Sequence, residues 1–309
     1  MRYSTLGADG PAISRIGFGC AAIGGYDYGP TNTTESVAAI VAALEAGITL
    51  FDTADVYGLG HSEELLASAL HTHRTDTVIA TKGGVAWDSA GRTRRDLSPN
   101  YLRHAIDSSL RRLRRDRIDL YQLHWPDSRV PIADSIGELV RARDAGKLQS
   151  IGLCNFPKHL LHEAAQIAPI TAIQVPRSLL EAQWQPTIDW CTTLFGSSVL
   201  CYNVLAQGLF SGKYNADSAF TGTDLRGRSA LFRGEPLHRG LAIVERLRQI
   251  AAKHSVSPSQ VAISAVLAQP GVTVALAGIK SPAQAAENAA AADLLLDPED
   301  LHLIAGSTA

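Results

Sequence analysis

Cysteine is scarce and scattered: Cys20, Cys154, Cys191 and Cys201 are spread over 309 residues, and no two form a CxxC pair. That spacing offers neither a disulfide framework nor a zinc site, so no metal is expected, and free thiols suit a reducing compartment. No apolar run approaches the roughly 20 residues needed to span a bilayer. The N-terminal MRYSTLGADG lacks the basic-then-apolar layout of a secretory signal. A cytoplasmic protein without a membrane partner is therefore expected. Neither sign of charge dominates, and the formal net charge of −2 argues against nucleic acid as a partner. No Pro/Ser/Gly-rich linker or charge block divides the chain, so one domain over residues 1–309 is expected. No GxGxxG follows a first strand, which disfavours a dinucleotide-binding domain of the Rossmann type.

What is present is alternation. The chain is 46% hydrophobic and 19% charged, enough to build one large core. Residues 2–6 and 12–16 flank the turn Gly7-Ala8-Asp9-Gly10 and read as a β-hairpin. A first strand follows at about 17–21. Helical segments over about 33–46, 61–72, 98–114, 131–145, 157–166 and 181–193 then alternate with apolar, β-rich runs at 48–51, 77–81, 118–123, 148–153, 170–175 and 198–203. The last strand is VTVALAG, 272–278. Gly47 and Gly146 end helices, and Ser98, Ser257 and Ser281 precede prolines as N-caps. Eight strands alternating with helices predict a closed (β/α)8 barrel of the α/β class, with an N-terminal hairpin, extra helices near 239–254 and 298–305, and its site at the carboxyl ends of the strands. The cluster Arg111, Arg112, Arg114, Arg115 and Arg117 ends a helix, where positive charge suits the dipole.

Four polar residues stand just past or at strand ends: Asp52, Tyr57, Lys82 and His124. In a parallel barrel these ends converge on one face. A phenol beside an ammonium has its pKa lowered from its usual value of about 10, and a carboxylate keeps that ammonium charged and in place. Together they form acid–base machinery working near neutral pH. Each residue also has a plainer reading. Tyr57 could cap a buried turn, Lys82 and Asp52 could be a structural ion pair, and a lone His124 could be a satisfied core residue.

The segments FDTADVYGLGHSEELL, IATKGG, LHWPD, GLCNF, YNVLAQGLFSGKY and GIKSPAQAAEN resemble, in order and from end to end, the aldo-keto reductase pattern. The likeness is greatest to the bacterial subgroup of general-stress and inositol-cluster reductases. That resemblance implies a barrel that binds NADPH or NADP+ and interconverts a small-molecule carbonyl and alcohol by hydride transfer. Tyr57 would exchange the proton, aided by Lys82 and Asp52, and His124 would orient the carbonyl. It also implies a carboxamide site at Cys154, Asn155 and Gln174, and an aromatic stack at Tyr202. Further cofactor contacts are implied at Leu205, Gln207, Gly208, Gly278, Lys280, Ser281, Gln284, Glu287 and Asn288. Cys154 departs from the usual serine, replacing a hydroxyl with a weak donor. Lys280 stands where arginine is frequent and would meet a phosphate as a point charge.

Tyr26, Trp87 and Trp125 are expected to wall the substrate pocket, and Arg226, Arg228 and Arg233, in the glycine-rich connection 206–238, could meet anionic substrates. Two other functions remain open at this stage: a nucleotide-binding regulatory subunit with little turnover, and a barrel lyase using Lys82 as a Schiff base. The oligomeric state is not legible.

Overall fold

Side-chain parity along eight parallel strands organises this protein, seen in a computed structural model that describes residues 1–25, 31–71, 77–220 and 224–306. The N-terminal hairpin is β1 (Tyr3–Thr5) and β2 (Ala12–Ser14), followed by β3 (Ile16–Gly19), α1 (Thr33–Glu45), β4 (Leu50–Asp52), α2 (His61–Ala69) and β5 (Val78–Gly83). A second hairpin, β6 (Val85–Trp87) with β7 (Thr93–Arg95), precedes α3 (Pro99–Leu113), β8 (Ile118–Leu123), α4 (Ile132–Asp144) and β9 (Leu148–Cys154). Then come α5 (Lys158–Ala165), β10 (Ala172–Pro176), α6 (Gln185–Phe195) and β11 (Ser198–Tyr202). The chain continues through α7 (Gly234–His254), α8 (Pro258–Leu267), β12 (Val274–Gly278), α9 (Pro282–Ala290) and α10 (Pro298–Ala305). Strands β3, β4, β5, β8, β9, β10, β11 and β12 close the barrel in that order.

Successive side chains of a strand point to opposite faces. Leu50, Val78, Ala80, Leu120, Ala172, Leu200, Val274 and Leu276 form the packed interior, while Phe18, Phe51, Ile79, Tyr121, Ile173 and Cys201 pack outward under the helices. Two residues beyond the interior positions, the same parity puts Asp52, Lys82, Gln122, Gln174 and Tyr202 inside, at the carboxyl end. Leu6 and Ile13 of the first hairpin join the interior cluster and stop the other end. The interior packs directly onto the Gly17 backbone: a Cβ there would lie 2.4 Å from Leu276 Cδ2, which would have to move.

The expected elements are present with shifted edges. The sixth helix starts at Gln185, not 181, because Ser178 and Glu181 pair in a tight turn first. The hairpin β6–β7 has no counterpart in the expectation; its strands are three residues each and carry too short a pattern to read. The 206–238 connection contains three short 3-10 segments. Leu209, Phe210 and Phe232 bind it into a satellite core with Leu237, Val244 and Leu247 of α7 and Val261 and Ala262 of α8. The arginine cluster has structural partners: Arg112 pairs with buried Glu63 and Arg115 with Asp119. Among the described residues no helix is long and apolar enough to cross a membrane, and no cluster of candidate metal ligands occurs.

Candidate active site

Lys82 ends its strand run fully buried, with Nζ donating to Asp52 Oδ1 at 2.9 Å, Asp52 Oδ2 at 2.8 Å and the Thr53 carbonyl at 2.8 Å. Burial alone would lower its pKa, but the Asp52 carboxylate and the neighbouring Tyr57 outweigh burial and hold it above its ordinary value. A triply bonded, inaccessible ammonium is a poor amine nucleophile, which weighs against the Schiff-base reading. The same Nζ lies 5.2 Å from the centroid of the Tyr57 ring.

Tyr57 is placed by a left-handed turn. Gly58, Leu59 and Gly60 have φ of 61°, 54° and 101°. A side chain at Gly58 would collide with the Gly24 carbonyl at 2.1 Å, so the first position requires glycine. The turn then opens α2, with Ser62 N donating to the Tyr57 carbonyl.

His124 follows β8, its backbone N–H bonded to the Gly83 carbonyl. Its ring meets the Tyr57 ring edge-on at 5.8 Å and stacks on Trp125 at 6.2 Å. Burial, and secondarily the Lys82 charge, lower its pKa well below the usual 6.5, so the imidazole is neutral near pH 7 and offers one N–H. Nδ1 has no hydrogen-bond partner among the described residues.

A second polar network grows from the first. Gln174 Nε2 donates to Asp52 Oδ1 at 2.7 Å, and Gln122 Nε2 approaches the same oxygen at 3.4 Å. Cys154 Sγ donates to Gln174 Oε1 at 3.3 Å, Asn155 Nδ2 lies 3.1 Å from that sulfur, and Tyr202 donates its hydroxyl to Asn155 Oδ1 at 2.8 Å. Burial pushes the Cys154 thiol up to about 12, so it stays protonated and serves as the donor. Asn155 adopts φ 66°, a left-handed conformation that asparagine tolerates.

These groups line one cavity of about 870 Å³ at the carboxyl face. Asp52, Tyr57, His124, Trp125, Cys154, Asn155, Gln174 and Tyr202 form one end. Leu205, Gln207, Gly208, Gly278, Lys280, Gln284, Glu287 and Asn288 extend it toward the start of α9. Ser281 does not line the cavity: its hydroxyl accepts from Gln284 N as the N-cap of α9, and Gln284 Oε1 accepts from Lys280 N at 2.8 Å.

The expected aromatic wall divides. Trp125 lines the cavity, whereas Trp87, at the end of β6, borders a separate cavity of about 160 Å³ with Asp55, Tyr101 and Arg112. Tyr26 lies outside the described residues. Arg226 also lines the main cavity, near Lys280 and not at the tetrad end, together with Lys213 and Leu225. Lys213, Glu181 and Thr93 were missed as lining residues. The motif GLFSGKY carries Lys213 in plain view, while nothing local distinguishes Glu181 or Thr93 from polar residues facing solvent.

The sequence profile described as the Aldo/keto reductase family matches residues 15–308. The chain is 34% identical over 287 residues to the aldo-keto reductase YhdN of Bacillus subtilis (strain 168), covering 92% of this chain and 86% of the relative. It is 29% identical over 294 residues to the aldo-keto reductase yakc [NADP(+)] of Schizosaccharomyces pombe, covering 93% and 86%. Among solved structures, the glycerol dehydrogenase AKR11B4 of Gluconobacter oxydans superposes with a TM-score of 0.90 at 34% identity, over 98% of this chain and 93% of that one. The holo form of the aldo-keto reductase AKR11C1 of Bacillus halodurans gives 0.81 at 25% identity, over 100% and 97%. With a profile match over nearly its whole length, the chain belongs to the aldo/keto reductase family.

Proposed function

We propose that the protein is an NADP(H)-dependent oxidoreductase that reduces aldehydes or ketones to alcohols, or runs the reverse. The observation that carries this reading is the buried Lys82 ammonium, clamped by Asp52 and set under the Tyr57 ring at one end of an 870 Å³ cavity. A packing tyrosine would not call for a desolvated cation, which is costly to bury.

The cavity suits a nicotinamide dinucleotide in size and donor set. An aromatic ring, Tyr202, stands beside amide groups at Asn155 and Gln174, buried Gln207 Oε1 has no hydrogen-bond partner among the described residues, and cations gather at the far end. The chemistry supplied by the bound cofactor is hydride donation from, or return to, its nicotinamide ring. The chain's own residues do the rest. Asn155 and Gln174 orient the carboxamide, and Tyr202 packs on the ring face. Neutral His124 donates a hydrogen bond to the substrate oxygen, positioning and polarising it. Tyr57 passes a proton to that oxygen, and Lys82 eases the transfer by stabilising the phenolate side of the exchange. Trp125 offers the substrate an apolar wall.

A panel of carbonyls and sugar alcohols, followed at the nicotinamide absorbance with each dinucleotide, tests this reading. Turnover with NADPH or NADP+ on at least one class supports it. Dinucleotide binding without turnover on any member counts for a regulatory binding subunit instead.

A further inference from the structure

No acidic residue lies between Gly278 and Gln284 in sequence, yet the fold brings one to Lys280 from 56 positions upstream. Burial and then the charge of Arg226 lower the Lys280 pKa, with Lys213 adding to them, and Asp224 in the 206–238 connection opposes them most strongly, ahead of Glu35. Lys280 in turn, after the hydrogen bonds and charge of Arg226, helps to hold Asp224 below the usual carboxylate range. Lys213, Arg226 and Lys280 thus share the end of the cavity remote from Tyr57, with Asp224 paired to Arg226 beside them.

The Asp224–Arg226 pair is built, not incidental. Arg226 Nε donates to Asp224 Oδ1 at 2.9 Å and Nη2 to Oδ2 at 2.5 Å, the two-pronged geometry that also suits a phosphate. Both side chains are mostly withdrawn from solvent, at 17% and 13% exposure, so their fields are weakly screened. The guanidinium cannot readily swing aside. It lies against the Tyr214 and Phe220 rings, at 5.5 and 5.2 Å from their centroids, and Nη1 donates to the Tyr214 hydroxyl. Leu225 and Arg226 line the cavity beside Lys280. An incoming anion at this end therefore meets a cation whose two-pronged edge a carboxylate already holds.

We propose that Asp224 is a specificity-determining residue: its carboxylate competes with a 2′-phosphate for Arg226 and Lys280 and so limits the preference for the phosphorylated dinucleotide. The proposal rests on the NADP(H) reading above. Physically it is a like-charge penalty, paid only by a ligand that carries an anion at this point. A dinucleotide with a free ribose hydroxyl there escapes it.

Asp224 also accepts from Arg226 N at 3.0 Å as the N-cap of the short turn Leu225–Gly227. Asparagine and serine both cap well, so Asp224→Asn and Asp224→Ser remove the charge and keep the cap. Wild type and both variants are titrated with NADPH and NADH by fluorescence, at low and at raised ionic strength. The expected result is NADPH tightening by roughly tenfold in both variants, NADH unchanged within about twofold, and the gain shrinking with salt. Equal changes for the two dinucleotides reduce Asp224 to a structural cap and overturn the proposal. Weakened NADH with unchanged NADPH means that the carboxylate holds a ribose hydroxyl, which overturns it as well. Unchanged affinities throughout do the same while leaving the NADP(H) reading intact. That reading fails separately, in the wild-type titration alone, if NADH binds the tighter.

Discussion

Gln174 Nε2 lies 2.7 Å from Asp52 Oδ1, so the amide proposed for the nicotinamide site is hydrogen-bonded to the carboxylate that holds Lys82. Lys82, Asp52, Gln174, Cys154, Asn155 and Tyr202 form one hydrogen-bonded network. Interior parity of β4, β5 and β10 puts the Asp52, Lys82 and Gln174 side chains inside the barrel. Perturbing Asp52 should therefore be felt in binding as well as in turnover, whereas perturbing the Tyr57 hydroxyl should be felt in turnover alone.

Tyr57→Phe keeps the ring that meets His124 edge-on and lies over Lys82, removing only the hydroxyl. Turnover should fall by about 10²–10⁴-fold, the usual worth of general acid–base catalysis. Dinucleotide affinity by fluorescence should be unchanged. Near-normal turnover on the best substrate would remove Tyr57 from the proton-donor role.

Lys82→Met leaves the Asp52 carboxylate buried, still accepting from Gln174 and approached by Gln122 but without its cation. Breaking a buried pair from one side costs about 3–5 kcal/mol, so denaturant unfolding should shift markedly. Adding Asp52→Asn should restore part of the loss. Because the Lys82 pKa is raised above 10.5, the stability from its charged form is present throughout neutral pH. It is lost only as pH climbs through that raised value. In whatever activity survives, the pH profile for alcohol oxidation should move alkaline, since the phenolate loses its nearby cation. A profile superimposable on wild type would place Lys82 in a purely structural role.

His124 gives the opposite pH signature. Its folded-state pKa lies well below 6.5, so it is neutral when folded and binds a proton on unfolding once the pH falls below about 6.5. Its contribution to stability is complete above that pH and is lost progressively as pH falls toward the depressed value. His124→Gln should flatten this part of the acid-side stability curve measured by denaturant titration. Wild-type kcat/KM should show no histidine step between pH 6.5 and 8. A step there that disappears in the variant would mean that a charged imidazole takes part.

Much of the barrel is legible in the sequence. Strand–helix alternation gave the barrel, and each tetrad residue sits at or just past a strand end, where the closed sheet must gather it. What escaped reading was whatever depends on the path of loops. Trp87 follows a strand as Trp125 does, but it belongs to the hairpin β6–β7 and lines another cavity. Arg226 was legible as a cation in a long connection. Its place beside Lys280 depends on Phe232 and Leu209 packing that connection onto α7 and α8, a long-range contact without local periodicity. Ser281 was legible as a cap, and capping is the hydrogen bond its hydroxyl makes.

Lys280 carries the last prediction. It stands just before the capped start of α9, where backbone N–H groups and the helix dipole favour an anion, and it lines the cavity with Gln284 and Arg226. Burial, then the charges of Arg226 and Lys213, lower its pKa, so the site holds mutually repelling cations that a phosphate would neutralise. Lys280→Ala should weaken NADPH by about 1.5–3 kcal/mol, the worth of a hydrogen bond to a charged group, and leave NADH nearly unchanged. Fluorescence titration of wild type and variant with both dinucleotides separates the cases. Equal weakening would move Lys280 to a part common to both, such as the pyrophosphate. Tighter NADH binding in the wild type would reverse the cofactor assignment, because then the cluster Lys213, Arg226 and Lys280 would not be reading a 2′-phosphate at all.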